Sequence, residues 1–241
     1  MEIVKITGQT KLNEERITRP VGALMLTCSQ PFASLTNESI TAYIERSNGN
    51  NHKIFTDIPL KALIALTLNG DVTVQQNDAS FEAIIDLNIG HSIPLNGDES
   101  LKFSLKGLKA AVEYKINTID YPSIARNTVR VERNVMNADE RSRLINVENS
   151  HVCVIEGVDK IDEMNVKYEN GRTIKLEKPE IIALSRFLDS EKIIDRSDGS
   201  VQPEVEGLVS LSLIGAVELD VYSDGGDPIT FYLKTFYNSV Q

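Results

Sequence analysis

Histidines are the first residues of this sequence that could hold a metal or move a proton. His52, His91 and His151 stand alone, because none has another histidine two residues away or a further ligand three or four residues later. A zinc site needs several such side chains to converge. The sequence therefore predicts surface positions for His52 and His91 and a structural or interface role for His151.

Two acidic turns could bind calcium. Asp224 and Asp227 flank a Gly-Gly pair, and residues 195–199 resemble the start of a helix–loop–helix calcium loop but lack its acidic third position and its final glutamate. Calcium takes about six to eight oxygen ligands, which neither segment supplies. We expect both segments to be turns without a metal.

Nucleophiles and phosphate-binding loops are also missing. Ser210 and Ser212 have no Gly-x-Ser-x-Gly surroundings, and no glycine-rich nucleotide loop occurs. The sequence therefore predicts no enzyme, no catalytic residue, no cofactor-binding residue, no cofactor and no metal ligand. An aromatic cluster near the C-terminus is expected to divide between the core and an interface with another subunit: Tyr222, Phe231, Tyr232, Phe236 and Tyr237.

The two cysteines, Cys28 and Cys153, lie in apolar segments at matching places of the two halves. Matching positions in separate units should be far apart, which favours two buried free thiols over a disulfide.

Composition narrows the class of protein. The net charge is −10 and both halves are acidic, which argues against a surface that neutralises nucleic-acid phosphates. No apolar run approaches the roughly 20 residues of a membrane span, and the N-terminal residues lack the apolar region of a signal peptide. We expect a protein kept, at least initially, in a cytosol-like compartment.

The elements that would position any site are organised around residues 40–68. This segment predicts a strand, an Asn48-Gly49 turn, a second strand and a short helix that starts near Pro59. Thr56 or Asp57 could accept hydrogen bonds from the first N–H groups of the helix. Its apolar residues share one face, so the helix should pack over the sheets: Leu60, Leu63, Ile64 and Leu68.

The same order recurs in residues 164–188, with Asn170-Gly171 as the turn and Pro179 at the helix start. The offset between matched residues falls from 125 at Cys28 and Cys153 to 120 at Pro59 and Pro179. Further matches extend the repeat over the whole chain: residues 13–16 with 137–141, Ile89-Gly90 with Ile214-Gly215, and 101–106 with 229–234. The sequence therefore predicts a duplicated structure.

Many short alternating segments between Asn-Gly and Pro turns predict an all-β fold. In the first half the predicted strands are 3–6, 23–28, 39–45, 72–74, 81–89, 93–95, 101–105 and 111–116. The predicted organisation is an N-terminal arm or edge segment (1–19), a first β unit (20–120), a linker (121–128) and a second β unit (129–241).

Two similar β-barrels in tandem, each with a short helix in one loop, resemble the double jelly-roll major capsid proteins of tailless icosahedral phages with an internal membrane, of the corticovirus and finnlakevirus type. The residues that carry the resemblance are 40–68, 164–188 and the matched segments around Ile89 and Ile214. It implies two tandem jelly rolls and a homotrimer whose six barrels form a pseudo-hexagonal capsomer of an icosahedral shell.

The resemblance also implies partners and a location. These are neighbouring capsomers, with minor capsid or membrane proteins beneath the shell, in a virion assembled in the host cytoplasm. It implies no small-molecule substrate and no direct sequence-specific binding of nucleic acid. Calcium, which it implies for some members, finds no ligand set in this sequence.

Three alternatives stay open at this stage. A pair of β-sandwich adhesion or carbohydrate-binding modules, on a virion spike or a cell surface, fits the duplication, although the chain has no tryptophan. A sliding-clamp-like ring would need basic helices, and Lys61 is the sole cation of the first one. A duplicated cupin-type enzyme would need metal ligands that are missing.

Overall fold

The computed structural model describes residues 2–46, 49–68, 74–188, 193–202 and 205–238, with side chains described except at 186–188, 237 and 238. The first unit contains β1 (Glu2–Ile6), β2 (Leu12–Ile17), β3 (Ala23–Cys28), β4 (Ser39–Glu45), β5 (His52–Pro59), α1 (Leu60–Thr67), β6 (Val74–Asn77), β7 (Ser80–Asp86), β8 (Ser100–Lys106) and β9 (Tyr114–Ile119). The second contains β10 (Asn127–Met136), β11 (Ser142–Asn146), β12 (Ser150–Glu156), β13 (Ile161–Tyr168), β14 (Thr173–Glu177), α2 (Lys178–Leu188), β15 (Ile193–Asp195), β16 (Val201–Gln202), β17 (Leu208–Ser212), β18 (Ala216–Ser223) and β19 (Ile229–Asn238).

Each unit is a sandwich of two sheets with the same strand order. In the first unit the sheets run β1-β9-β3-β7-β6 and β2-β8-β4-β5, and in the second β10-β19-β12-β17 and β11-β18-β13-β14. The eight strands that the two units have in common, four in each sheet, form a jelly roll, and β6 extends one sheet of the first unit. The predicted all-β class, with two tandem jelly rolls and one short helix in a loop of each, is confirmed.

Alternation of side chains builds the two cores. In β4, Ile40, Ala42 and Ile44 point inward and are buried, while the residues between them are partly exposed. The second barrel has its own core around Met164, Val166 and Leu219. The predicted strand–turn–strand–helix unit is therefore present twice, as β4-β5-α1 and β13-β14-α2.

The predicted turns are only partly described. Asn48 lies outside the described residues, whereas Gly171 has a φ of +80° and its N–H donates to the carbonyl of Tyr168 at 2.9 Å. The matched pair Ile89-Gly90 and Ile214-Gly215 occupies the same loop of each barrel, between β7 and β8 and between β17 and β18.

Two of the sequence matches are wrong. Residues 101–106 are β8, whose counterpart in strand order is β18, and not β19, which contains residues 229–234. The mismatch arises because all half-buried strands alternate alike, and because the loop before β8 is much longer than the loop before β18. Residues 13–16 lie within β2, whereas residues 137–141 precede β11, so their similarity has no structural counterpart.

Several predicted strand limits also differ. Residues 93–95 form no named strand and make a single bridge from Ile93 to Val21. The strand expected at 111–116 is β9, and the one expected at 81–89 is β7, which ends at Asp86. Residues 72 and 73 lie outside the described part of the chain.

The expected domain limits stay a prediction. Residues 1–19 contain β1 and β2, each at the edge of one sheet, and β10 begins at Asn127, inside the expected linker. Neither described helix has the length and apolar character that crossing a bilayer requires.

Candidate assembly interface

Helix α1 lies between the two barrels. It packs on β5 and β7 of its own barrel and on β12, β17 and β19 of the other. Seven of its residues are buried, and Lys61 is the exception within the helix. A helix that is apolar nearly all round is stable only when it is covered on all sides. The second barrel supplies the cover that the first barrel leaves open.

The cover is the outer face of the sheet β10-β19-β12-β17. Val129 and Val131 of β10, Val154 of β12 and Tyr232 of β19 belong to the same buried cluster as the first barrel's core. The inward residues of these strands, such as Cys153 and Phe231, belong to the second core instead. This sheet is therefore apolar on both faces, and one face is used for contact between barrels.

Polar groups at this contact are buried as well. The Lys234 ammonium donates to the carbonyl of Leu66 at 3.3 Å, near the C-terminal end of α1, where a cation is favourable. Burial lowers the pKa of Lys234 although the nearby Asp86 opposes the shift, and burial raises the pKa of Asp86.

Two further connections join the barrels. His52 Nε2 lies 2.7 Å from Thr128 Oγ1, and β15 adds to the first barrel's sheet in parallel with β6. Arg196, just after β15, contacts Gln75 and pairs with Glu82 at 2.8 Å. Strands from both units thus share one seven-stranded sheet.

Helix α2 occupies the corresponding place on the second barrel but is not covered in the same way. Among residues 178–185, only Ile181 and Ser185 are buried, and Leu184 is 39% exposed. A groove of about 360 Å³ opens beside the helix. Its lining is almost entirely apolar: Val166, Tyr168, Ile174, Leu176, Leu184, Leu211, Ser212 and Ile214.

The histidines do not converge. His52 is half-buried in β5, not on the surface as expected, and its pKa is lowered by burial and by Arg46 and Arg130. His91 is exposed beside Ser123. The His151 ring packs on Phe236, with centroids 4.5 Å apart. Within the described ranges, no group of three or more histidine, cysteine or acidic residues could hold a metal.

The first acidic segment forms a turn at residues 196–198, and the Gly-Gly segment forms a bend at residues 226–227. The Asp195 carboxylate accepts from the N–H of Ser197 at 2.8 Å, and Asp198 accepts from the N–H of Ser200 at 2.8 Å, which lowers the pKa of Asp198. In the Gly-Gly segment, the Asp227 carboxylate forms an ion pair with the Lys160 ammonium at 3.2 Å.

The aromatic cluster divides as its alternation indicates. Phe231 and Tyr232 are fully buried on opposite faces of β19, and the Tyr232 hydroxyl donates to Glu156 at 3.0 Å. Phe236 is half-buried at the contact between barrels, and Tyr222 is partly exposed. The side chain of Tyr237 is outside the described set. Ser210 and Ser212 lie in β17, and the Ser210 N–H donates to the Ser185 hydroxyl.

Cys28 and Cys153 are buried free thiols in the equivalent strands β3 and β12. Burial raises the pKa of both, and Glu38 adds to the shift at Cys28. Because thiolates are the reactive form, we expect neither thiol to react with Ellman's reagent in the native protein and both to react in denaturant. Rapid reaction of either thiol in native protein would contradict this burial.

Sequence reasoning missed a buried carboxylate, Glu38, just before β4. It accepts hydrogen bonds from the N–H groups of Thr36 (2.8 Å) and Asn37 (3.1 Å), from Gln30 (3.1 Å) and from the Tyr114 hydroxyl (3.0 Å). The Lys109 ammonium lies 3.5 Å away. A polar segment before a strand is typical of a loop, so the sequence carries no signal for this burial.

Glu38 also holds the start of α1. The N–H of Leu60 donates to the Glu38 carbonyl at 2.8 Å, and no side chain caps the helix. The expected caps, Thr56 and Asp57, are therefore wrong, because both precede Pro59 inside β5 and Asp57 instead accepts from Ser39.

Comparison with known proteins agrees with this architecture. No family model matches the chain, and no curated protein is similar to it in sequence. Among solved structures, the major capsid protein P2 of Bacteriophage PM2 superposes with a TM-score of 0.54 at 8% identity, over 98% of this chain and 93% of P2. A chain in the atomic structure of Sulfolobus Turreted Icosahedral Virus gives a TM-score of 0.56 at 10% identity, over 99% and 92% of the two chains. At such low identity these likenesses establish a shared double jelly-roll fold.

Proposed function

We propose that this protein is a structural virion protein, a major capsid protein whose trimers form pseudo-hexagonal capsomers of an icosahedral shell. The observation that carries the proposal is the likeness to the PM2 major capsid protein P2 over nearly the full length of both chains. In this proposal residues 20–120, with β1 and β2 of residues 1–19 added to their sheets, and residues 129–241, with the start of β10 at Asn127, are the two barrel domains joined by 121–128. The protein is not an enzyme in this proposal.

The contact between the barrels supports the proposal physically. The two barrels are joined by an apolar sheet face, a buried helix and a shared sheet, so the two barrels of one chain form a single packed subunit. Three such subunits supply six similar barrels, which fill a sixfold position of the lattice through closed threefold symmetry. The partners are then two further copies in the capsomer, neighbouring capsomers and minor capsid or membrane proteins beneath the shell. The location is the virion, assembled in the host cytoplasm.

Light scattering on purified protein tests the trimer, and electron microscopy tests the shell. We expect a mass about three times the 26.7 kDa of one chain, and particles or capsomer arrays in micrographs of expressing cells. A strictly monomeric protein that gives clear hits on a glycan array would overturn the proposal in favour of tandem carbohydrate-binding modules.

A further inference from the structure

We propose that the groove beside α2 binds a second copy of this chain. The surface of the second copy that packs against the groove is the outer face of the first barrel's sheet β1-β9-β3-β7. The inference rests on the proposed trimer and specifies the two faces that make its contacts. The contact is head-to-tail, so each copy offers one groove and one sheet face.

The contact between the two barrels within one chain is an example of the same kind of interface. The helix side of the first barrel is covered by the outer face of β10-β19-β12-β17, which is the second barrel's counterpart of β1-β9-β3-β7. The helix side of the second barrel has no such cover within the described chain. Repeating the internal contact between copies would cover it with the equivalent sheet face of the next first barrel.

Side chains at equivalent positions show what is missing. In the first barrel, Phe55 pairs with Ala42 in the β4-β5 hairpin and is buried in a cluster that includes Val129 and Val131. In the second barrel, Ile174 pairs with Val166 in the corresponding hairpin and is only half-buried. Both barrels therefore have an apolar side chain at this position of the hairpin, but in the second barrel no other part of the described chain covers it.

The helices show the same contrast. Ile64, in the middle of α1, is fully buried, whereas Leu184 of α2 is 39% exposed at the groove. Burial of such apolar surface on association would be the driving force for the contact between copies.

The first barrel's sheet face has the composition of a contact surface. Met25 of β3 and Ile84 of β7 are direct cross-strand partners, are half-buried and line a shallow cleft. Ion pairs lie around them, between Glu82 and Arg196 and between Glu2 and Lys115. An apolar centre with a polar rim is the usual arrangement of a protein interface.

Head-to-tail contacts generate either a closed ring or an open filament. Each chain already contains one such step, namely the head-to-tail contact between its first and second barrels. If the step between chains matches it and each step turns by about one sixth of a circle, six barrels, and hence three chains, close the ring. This closure ties the two surfaces to the proposed trimer.

Charge substitutions in each surface test the assignment by light scattering and sedimentation. We expect Leu184→Glu and Ile84→Glu each to raise the concentration at which the trimer dissociates by about tenfold or more, because each places a charge in a buried apolar contact. Leu144→Glu is the matched control, since Leu144 is 64% exposed on β11, at the edge of its sheet opposite to β14, and does not line the groove. It should leave the trimer intact.

Mixing the two variants separates this contact from other arrangements. Leu184→Glu keeps a functional sheet face and Ile84→Glu keeps a functional groove, so a mixture should form a complex of one copy of each that neither variant forms alone. A misfolded variant could not give this complex. A wild-type trimer that survives either substitution, or two folded monomeric variants that do not associate, would overturn the assigned surfaces and leave the proposed function standing. A wild-type monomer would instead count against the proposed function itself.

Discussion

Glu38→Ala is expected to lower the free energy of unfolding by about 3 to 5 kcal/mol, because it removes a buried carboxylate and leaves the buried donors of Gln30 and Tyr114 without this acceptor. Four donors would lose their acceptor, from Gln30, Thr36, Asn37 and Tyr114. The Lys109 ammonium would lose its nearest carboxylate as well. Urea denaturation followed by circular dichroism measures the loss.

Glu38→Gln tests whether the charge or the shape of the side chain matters. One carboxylate oxygen accepts from the two backbone N–H groups and the other from Gln30 and Tyr114, so an amide must turn its NH₂ toward donors at one of the two places. We expect about half of the loss seen with alanine. Glu45→Gln is the control, since Glu45 forms a partly exposed pair with Lys102 that is worth at most about 1 kcal/mol. Equal losses at positions 38 and 45 would contradict the buried network.

The same carboxylate gives a pH dependence with a definite sign. Burial alone would raise the pKa of Glu38, but hydrogen bonds from the Thr36 N–H, Gln30 and Tyr114 outweigh it, so the pKa lies below its ordinary 4.5. A lowered pKa in the folded state means that the contribution is complete above 4.5 and is lost as the pH falls through the folded value. The difference in stability between wild type and Glu38→Gln should therefore shrink below pH 4.5.

The sequence was sufficient for the fold because alternation and turns are local properties. Residues 40–68 and 164–188 contain their own strand periods and helix starts, and both units are present where predicted. Matching the later strands of the two barrels from the sequence is harder, because β8 and β19 share the alternation that every half-buried strand has. The order of the strands in the sheet, which tertiary contacts determine, identifies β18 as the counterpart of β8.

The sequence of α1 does indicate the contact between the barrels, although a helix with a single apolar face does not require it. The spacing of the apolar residues in this helix predicts a single apolar face, formed by Leu60, Leu63, Ile64 and Leu68, yet Ala62, Ala65 and Leu66 of α1 are also buried. A helix without a polar face needs cover on every side. The more polar α2, with Lys178 and Glu180 in its first turn, indicates the opposite situation. Glu38 could not be found this way, because its burial depends on residues as distant as Tyr114.

Gly107→Ala is expected to lower the free energy of unfolding by about 2 to 5 kcal/mol, because the added methyl group meets both an unfavourable backbone conformation and a close backbone neighbour. Gly107 follows β8 with a φ of +68°, a conformation that costs other residues about 1 to 2 kcal/mol. A Cβ there would also lie 2.2 Å from the Asn37 carbonyl oxygen and 2.8 Å from its carbon, so backbone must move. Overpacking of this kind adds about 1 to 3 kcal/mol.

Gly8→Ala is the matched control for the conformational part. Gly8 has a φ of +73° with nothing within 4 Å of an added Cβ, so its loss should stay at about 1 to 2 kcal/mol. Movement of Asn37 would also displace its N–H from Glu38, so Gly107→Ala and Glu38→Ala should be less than additive when combined. Equal losses for Gly8→Ala and Gly107→Ala in urea denaturation would show that the approach to Asn37 carries no cost. Full additivity with Glu38→Ala would show that the segment around Asn37 does not link the two.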